Sequence, residues 1–167
     1  GPYLDANDPG YSSFTIAHAS RPARVYAGGN DGMLHAFDDA NGDETWAYIP
    51  HDLYRPDNTG LGALAYQDGA LPPFRHHFLV DSTPRIVDVD FGGSDWHSLL
   101  VGGLGKGGKS YYALDVTDPG AITTETQAAG QYLWTFTDAD MGYSYGKPTL
   151  AKTRGFSSKW LMVVAAG

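Results

Sequence analysis

The stretch from Val25 to Trp46, VYAGGNDGMLHAFDDANGDETW, constrains the fold more than any other, because it reads as three short strands joined by two turns. Val25-Tyr26-Ala27 is apolar and β-prone, and Gly28-Gly29 admits close approach of a neighbouring backbone. Asn30-Asp31-Gly32 then signals a hairpin, since these residue types tolerate the positive φ of primed turns. Met33 to Phe37 climbs back, with Leu34 and Ala36 on one face and Met33, His35 and Phe37 on the other. A second turn runs from Asp38 to Asn41-Gly42, and residues 44–49 return as a third strand carrying Trp46. This is a β-meander, a unit that recurs along chains built by repetition.

The recurrence is present. Thr83-Pro84-Arg85-Ile86-Val87-Asp88-Val89 leads through Gly92-Gly93 to Trp96 and an apolar strand ending in Gly102-Gly103. Lys147-Pro148-Thr149-Leu150 leads through Gly155 to Trp160 and a second such strand, 64 residues later at both landmarks (148 − 84 and 160 − 96). Leu99 to Gly103 also matches Val25 to Gly29, and Tyr111-Tyr112-Ala113-Leu114-Asp115 matches Leu34-His35-Ala36-Phe37-Asp38. The third strand returns at 132–136, with Trp134 in the place of Trp46.

Four short antiparallel strands repeated in this way make a β-propeller blade, which must pack against neighbours on both faces. The expected fold is therefore all-β and incomplete: about two four-stranded blades plus the start of a third. The first blade (3–50) lacks a clear first strand, although Phe14-Thr15-Ile16-Ala17 offers one. A loop excursion (51–80) follows, with a helical turn near 61–66, then a whole blade (81–137) and the opening of the next (147–167). Gly1-Pro2 reads as the remnant of a cleaved expression tag, with any native targeting sequence outside this stretch. The 22 Gly, 10 Pro and abundant aromatics suit short strands and tight turns. Open blade edges and an uncovered apolar face favour self-association or marginal stability. The decisive expectation is that Trp46 and Trp134 occupy equivalent outer strands of successive sheets.

Net charge narrows the partners. With 11 basic and 19 acidic residues the chain carries −8, which argues against nucleic acid and against anionic membrane surfaces. The apolar run 160–166 is far shorter than the roughly 20 residues of a spanning helix. With no Cys there is neither a disulfide framework nor a thiolate metal site.

Several groupings suggest chemistry, and each has a plainer reading. Asp88-x-Asp90 and Asp138-x-Asp140 set paired carboxylates on one side of an extended segment, suited to acid-base work or a cation; Asx-turn caps explain them better. His76-His77 point apart in extended backbone and lack a carboxylate at a helpful spacing for a metal. His35, between Leu34 and Ala36, fits a structural hydrogen bond. Gly102 to Ser110 ends in Gly-Lys-Ser like a phosphate loop, but it leads into a strand instead of a helix. No catalytic, cofactor-binding or metal residue is assigned. The positions singled out are structural repeat positions: Asn30, Asp31, Gly32, Asp38, Gly42 and Trp46, then Gly102, Gly103, Asp115, Asp118 and Trp134.

Ala36-x-Asp38-x-x-Asn41-Gly42-Asp43-x-x-Trp46 resembles the tryptophan-docking motif of quinoprotein-type propellers, with Asn41 where Thr is usual. That resemblance implies an indole lying flat between blades, its N–H donated to a carbonyl. The second copy keeps Ala113 and Asp115 but replaces the turn with Val116-Thr117-Asp118-Pro119 and the insert AITTETQAAGQ. Over nearly the whole chain, RPARVYAGGNDGMLHAFD, FLVDSTPRIVDV, GGLGKGGKSYYALDVTDP and LWTFTDADMGYSYGKPTL resemble the propeller domain of the PilC/PilY family of type IV pilus proteins. The resemblance implies a large exported protein at the cell surface or pilus tip, or in the outer membrane or periplasm, of a Gram-negative bacterium. It also implies a non-enzymatic role in pilus biogenesis, twitching motility and surface attachment. Minor pilins, other pilus proteins, and host or abiotic surfaces are the implied partners. Family members carry a calcium loop of alternating Asp and Asn, expected elsewhere in the parent protein. Asp39-x-Asn41-x-Asp43 begins like one, but Thr45 and Pro50 lack its later features. The competing classes are a quinone-dependent dehydrogenase propeller and a periplasmic assembly scaffold. Residues 51–77 and 120–131 are the segments expected to meet partners.

Overall fold

The computed structural model describes residues 3, 5–57, 59–65, 76–153 and 159–165. Among the described residues, three antiparallel sheets follow one another along the chain. The first is β1 (Arg24–Gly28), β2 (Leu34–Asp38) and β3 (Glu44–Tyr48) in that order. The second is β4 (Arg85–Asp90), β5 (Trp96–Gly103), β6 (Tyr111–Asp115) and β7 (Tyr132–Phe136), and the third pairs β8 (Thr149–Lys152) with β9 (Trp160–Val163). Successive meanders of three, four and two strands are the incomplete propeller the repeats imply.

Register makes the first two sheets superposable. Ala36 stands opposite Trp46 and Ala113 opposite Trp134, and in each sheet a bulge follows that Ala. Gly28 faces Leu34 as Gly103 faces Tyr111, so Ala27-Gly28 is equivalent to Gly102-Gly103. Matching glycine pairs in the sequence puts this strand out by one residue, and such a slip exchanges the two faces of a strand. The third sheet departs differently. Trp160 pairs with Lys152, two positions earlier than the Trp96–Asp90 pairing carried forward 64 residues.

The main core lies between the first two sheets. Leu34, Ala36 and Trp46 of the first face Leu100, Tyr112 and Leu114 of the second, with Leu53, Leu79 and Val80 closing the layer. Fully burying a side chain of Leu size contributes about 1.5–3 kcal/mol, so this layer is what joins the blades. On the opposite side of β5–β6, Trp134, Trp160 and Met162 border the gap between the second and third sheets.

Two segments outside the sheets are helical, one of them where the sequence suggests a strand. Residues Tyr11–Ala17 form helix α1, so Phe14-Thr15-Ile16-Ala17 is not a strand. A helix places Tyr11 and Phe14 together against Trp96, at centroid distances of 4.8 and 6.4 Å, while Ile16 stays 76% exposed. A strand would force Phe14 and Ile16 onto one face. The indole of Trp96 donates to the Pro9 carbonyl at 2.9 Å, fixing the segment on the second sheet. Within the polar insert, Glu125–Gly130 forms helix α3, N-capped by the Thr124 hydroxyl, which accepts from the Gln127 N–H. Helix α2 (Gly62–Ala65) is the turn foreseen in the excursion; Tyr66 lies outside the described residues.

Candidate functional site

The repeat positions are structural in what they touch. Gly32 adopts φ 97° in the β1–β2 turn, where Gly29 N–H donates to the Met33 carbonyl at 2.8 Å and Asp31 accepts from Met33 N–H. Asn30 reaches forward, its side-chain oxygen accepting from Leu79 N–H at 3.1 Å. Asp38 and Asp115 close β2 and β6 in the same way, each accepting from the N–H two residues on, Ala40 and Thr117, at 2.9 Å. The second oxygen of Asp38 takes Arg24 at 2.8 Å; that of Asp115 takes His97 at 2.7 Å. Gly42 sits at φ 79° and donates to the Asp38 carbonyl, while Asp118 leads into a 3-10 turn at Pro119–Ala121. Gly102 and Gly103 lie in β5 against the rings of Tyr112 and Tyr111.

Trp46 and Trp134 occupy equivalent outer strands, as the repeats require. The expected indole hydrogen bond is not made at Trp46, however: its buried N–H has no partner among the described residues. Instead its ring is 7% exposed, packed among Tyr26, Leu34, Ala36 and Ala128 of α3. The insert of the second blade therefore covers the indole of the first.

The groupings that suggested chemistry resolve into local bonding. Asp90 and Asp138 accept from the N–H groups of Gly92 and Asp140, the Asx-turn arrangement. Both oxygens of Asp88 are engaged, by the hydroxyls of Tyr11 (2.8 Å) and Ser98 (2.6 Å). Loss of water around Tyr11, together with that bond, pushes its phenol up to about 12. Asn41 and Asp43 bond each other within the β2–β3 turn. The two ring nitrogens of His35 lie 2.9 Å from Asp31 and Glu44 carboxylates. The Gly-Lys-Ser run is the β5–β6 hairpin and passes directly into β6. Among the described residues no group of three or more His, Cys, Asp or Glu side chains is placed to hold a metal.

Two clefts among the described residues take one wall from the excursion or the insert. The outer cleft, about 970 Å³, runs beside β3. Consecutive residues Glu44 to Ile49 all line it, so it follows the strand's edge as well as its face. Tyr54 from the excursion, Thr124, Glu125 and Ala129 from the insert, and Tyr132 at the start of β7 form the other wall. Burial pushes the Tyr48 phenol here up to about 12, with smaller contributions from the neighbouring Tyr132, Tyr54 and Asp52.

The second cleft, about 670 Å³, separates the excursion from the glycine hairpin and is lined by Arg55, His76, His77, Lys106 and Lys109 among others. Its floor is rigid. Ser144 accepts from Leu104 N–H at 2.8 Å and donates to the Gly108 carbonyl at 3.1 Å, and Gly105 bridges to Ser144. A Cβ on Gly107 would stand 2.0 Å from the Leu79 carbonyl, so only glycine allows this contact. At the excursion's rim, the hydroxyl and N–H of Thr59 bond the Asp57 carboxylate and hold its pKa below the usual value. Ser144 and Tyr143 belong to no repeat position; the signal for them in the sequence is the Tyr-Ser-Tyr-Gly stretch just before the Lys147-Pro148 repeat mark.

No helix among the described residues is long and apolar enough to cross a membrane. Residues 3–167 match the family described as the PilY1 beta-propeller domain. The type IV pilus biogenesis factor PilY1 of Pseudomonas aeruginosa (strain PAO1) is 42% identical over 160 residues, covering 94% of this chain and 12% of that protein. A PilY1 homolog of Xylella fastidiosa is 38% identical over 162 residues, covering 94% of this chain and 10% of its own length. The chain thus spans about a tenth of the curated relatives it matches. The crystal structure of the Pseudomonas aeruginosa PilY1 C-terminal domain superposes with a TM-score of 0.69 at 36% identity, over 98% of this chain and 30% of that one. By sequence along 3–167 and by the arrangement of its blades, the chain belongs to the PilY1 β-propeller domain family.

Proposed function

We propose that this chain is a non-enzymatic interaction module of a type IV pilus assembly and tip protein. It acts in pilus biogenesis, twitching motility and surface attachment, outside the inner membrane of a Gram-negative cell. The observation that carries this reading is the division of labour in the fold: the repeat positions of the blades are consumed by packing and turns, whereas each cleft pairs a blade element with a wall supplied by the excursion or the insert. Binding residues on loops held by a rigid scaffold are the common arrangement for recognition. The outer cleft offers a strand edge beside Tyr54 and Tyr132, a setting in which an extended segment of a pilus protein gains main-chain hydrogen bonds.

The test is made in the full-length protein in its own host. Tyr54, Glu125 and Ala129 are exposed, so Tyr54→Ala, Glu125→Lys and Ala129→Arg together alter the cleft while leaving the core residue Ala128 in place. Surface pili and twitching zones should shrink severely at unchanged protein level. Normal piliation, twitching and attachment in the triple variant would overturn the assignment.

A further inference from the structure

We infer that the cleft between the excursion and the glycine hairpin binds an acidic peptide segment. The chain as a whole carries 19 acidic against 11 basic residues, yet this cleft gathers Arg55, Lys106 and Lys109 with His76 and His77 and a single acidic residue, Asp52. The ion pairs of Lys and Arg among the described residues are Arg24 with Asp38 and Lys152 with Asp8. None involves the three cations of the cleft. Arg55 donates to the neutral Thr59 carbonyl at 3.1 Å, and the Lys106 ammonium lies 4.3 Å from the Phe78 ring centroid. The Asp57 carboxylate at the rim lies near enough to Arg55 to feel its charge, whereas neither Lys106 nor Lys109 forms an ion pair among the described residues.

Its placement favours binding. Lys106 and Lys109 sit on a hairpin held by Ser144, so little backbone freedom is lost when a ligand arrives. The exposed ring of Tyr143 supplies an apolar wall for methylene groups beside the ammonium groups that meet carboxylates. The overall charge of −8 repels a long polyanion that runs beyond the cleft, which favours a short run of Asp and Glu over nucleic acid. The inference gives a partner chemistry to a second surface of the interaction module and rests on that reading. Its test uses purified protein, so peptide binding can fail while the outer-cleft triple variant still impairs pili, and the reverse.

The probe is a fluorescein-labelled oligoglutamate of about eight residues, followed by anisotropy at low and moderate salt, with oligolysine and oligothymidylate of similar length alongside. Oligoglutamate should bind, more weakly as salt rises, and Lys106→Glu with Lys109→Glu should lower affinity at least about tenfold. Lys106→Gln with Lys109→Gln should give a smaller loss, with unchanged circular dichroism. Lys147→Glu, an exposed charge outside the cleft, should change affinity less than about twofold. Absence of binding at low salt, an equal loss in Lys147→Glu, or oligothymidylate binding as tight as oligoglutamate would overturn the inference.

Discussion

The first two blades place different residues at one structural position, and the contrast shows what decides burial. Tyr112 in β6 and His35 in β2 are equivalent, opposite Gly102 and Ala27 respectively. Tyr112 is 1% exposed beneath the first blade, with the Tyr48 ring 5.5 Å away. His35 lies on the face of the first blade turned away from the second, between the carboxylates of Asp31 and Glu44, near Val25 at 49% exposure. Local strand geometry is the same; the neighbour differs. A blade face covered by another blade carries an aromatic ring, and the face without one among the described residues carries an imidazole flanked by acids.

The largest effect that can break this comparison comes from the paired indoles. Trp46→Ala should cost about 3–5 kcal/mol, the range for removing a buried aromatic that neighbours cannot replace. Trp134→Ala should cost roughly 1–2 kcal/mol, because its ring is only half-buried. Urea unfolding midpoints at constant slope measure both. Equal losses would show that α3 adds nothing to the seat of Trp46.

A smaller effect sharpens it. A Cβ at Gly102 would stand 2.4 Å from the Tyr112 hydroxyl oxygen, and Tyr112 has no room to move. Gly102→Ala should therefore cost about 1–3 kcal/mol. At the equivalent position of the first blade the methyl is already present as Ala27, and Ala27→Gly should cost only about 0.5–1 kcal/mol through backbone entropy. Thermal unfolding of the two variants would contradict the equivalence if the order were reversed.

Much of this architecture was legible in the chain because strands, turns and repeats are local. Asn30-Asp31-Gly32 announces its hairpin, and the Ala36-to-Trp46 spacing fixes which strand is outermost, since both depend on residues within one meander. The face assignment of β1 was not legible from paired glycines, because register depends on which partner atoms meet across strands. Helix α1 was missed for a similar reason: seven residues without a side-chain cap carry little intrinsic helical signal, and what stabilises them is Trp96, more than eighty residues away along the chain. The clefts were legible only as insertions. That 51–77 and 120–131 would carry a surface follows from their break with the repeat, but the convergence of Arg55 with Lys106 and Lys109 needed the fold.

The smallest expected effect concerns Tyr112 itself. Its hydroxyl is buried with no hydrogen-bond partner among the described residues, so the ring stabilises the interface while the oxygen bears a desolvation cost. Tyr112→Phe should thus be neutral or stabilising by up to about 1 kcal/mol at neutral pH. Burial also raises the Tyr112 phenol above its ordinary value near 10, with the adjacent Tyr48 adding to the rise. A raised folded-state value means that this contribution is intact below pH 10 and is lost progressively as pH climbs above it, because the unfolded chain ionises first. Removing the hydroxyl deletes that share of the alkaline loss, so the melting temperature of Tyr112→Phe should fall less steeply above pH 10 than that of the parent. Tyr11→Phe should show the same flattening between pH 10 and about 12, while also giving up the bond to Asp88. If Tyr112→Phe instead destabilised the protein at neutral pH, its hydroxyl would have to be hydrogen-bonded. The Tyr112–His35 contrast would then rest on a polar contact instead of burial.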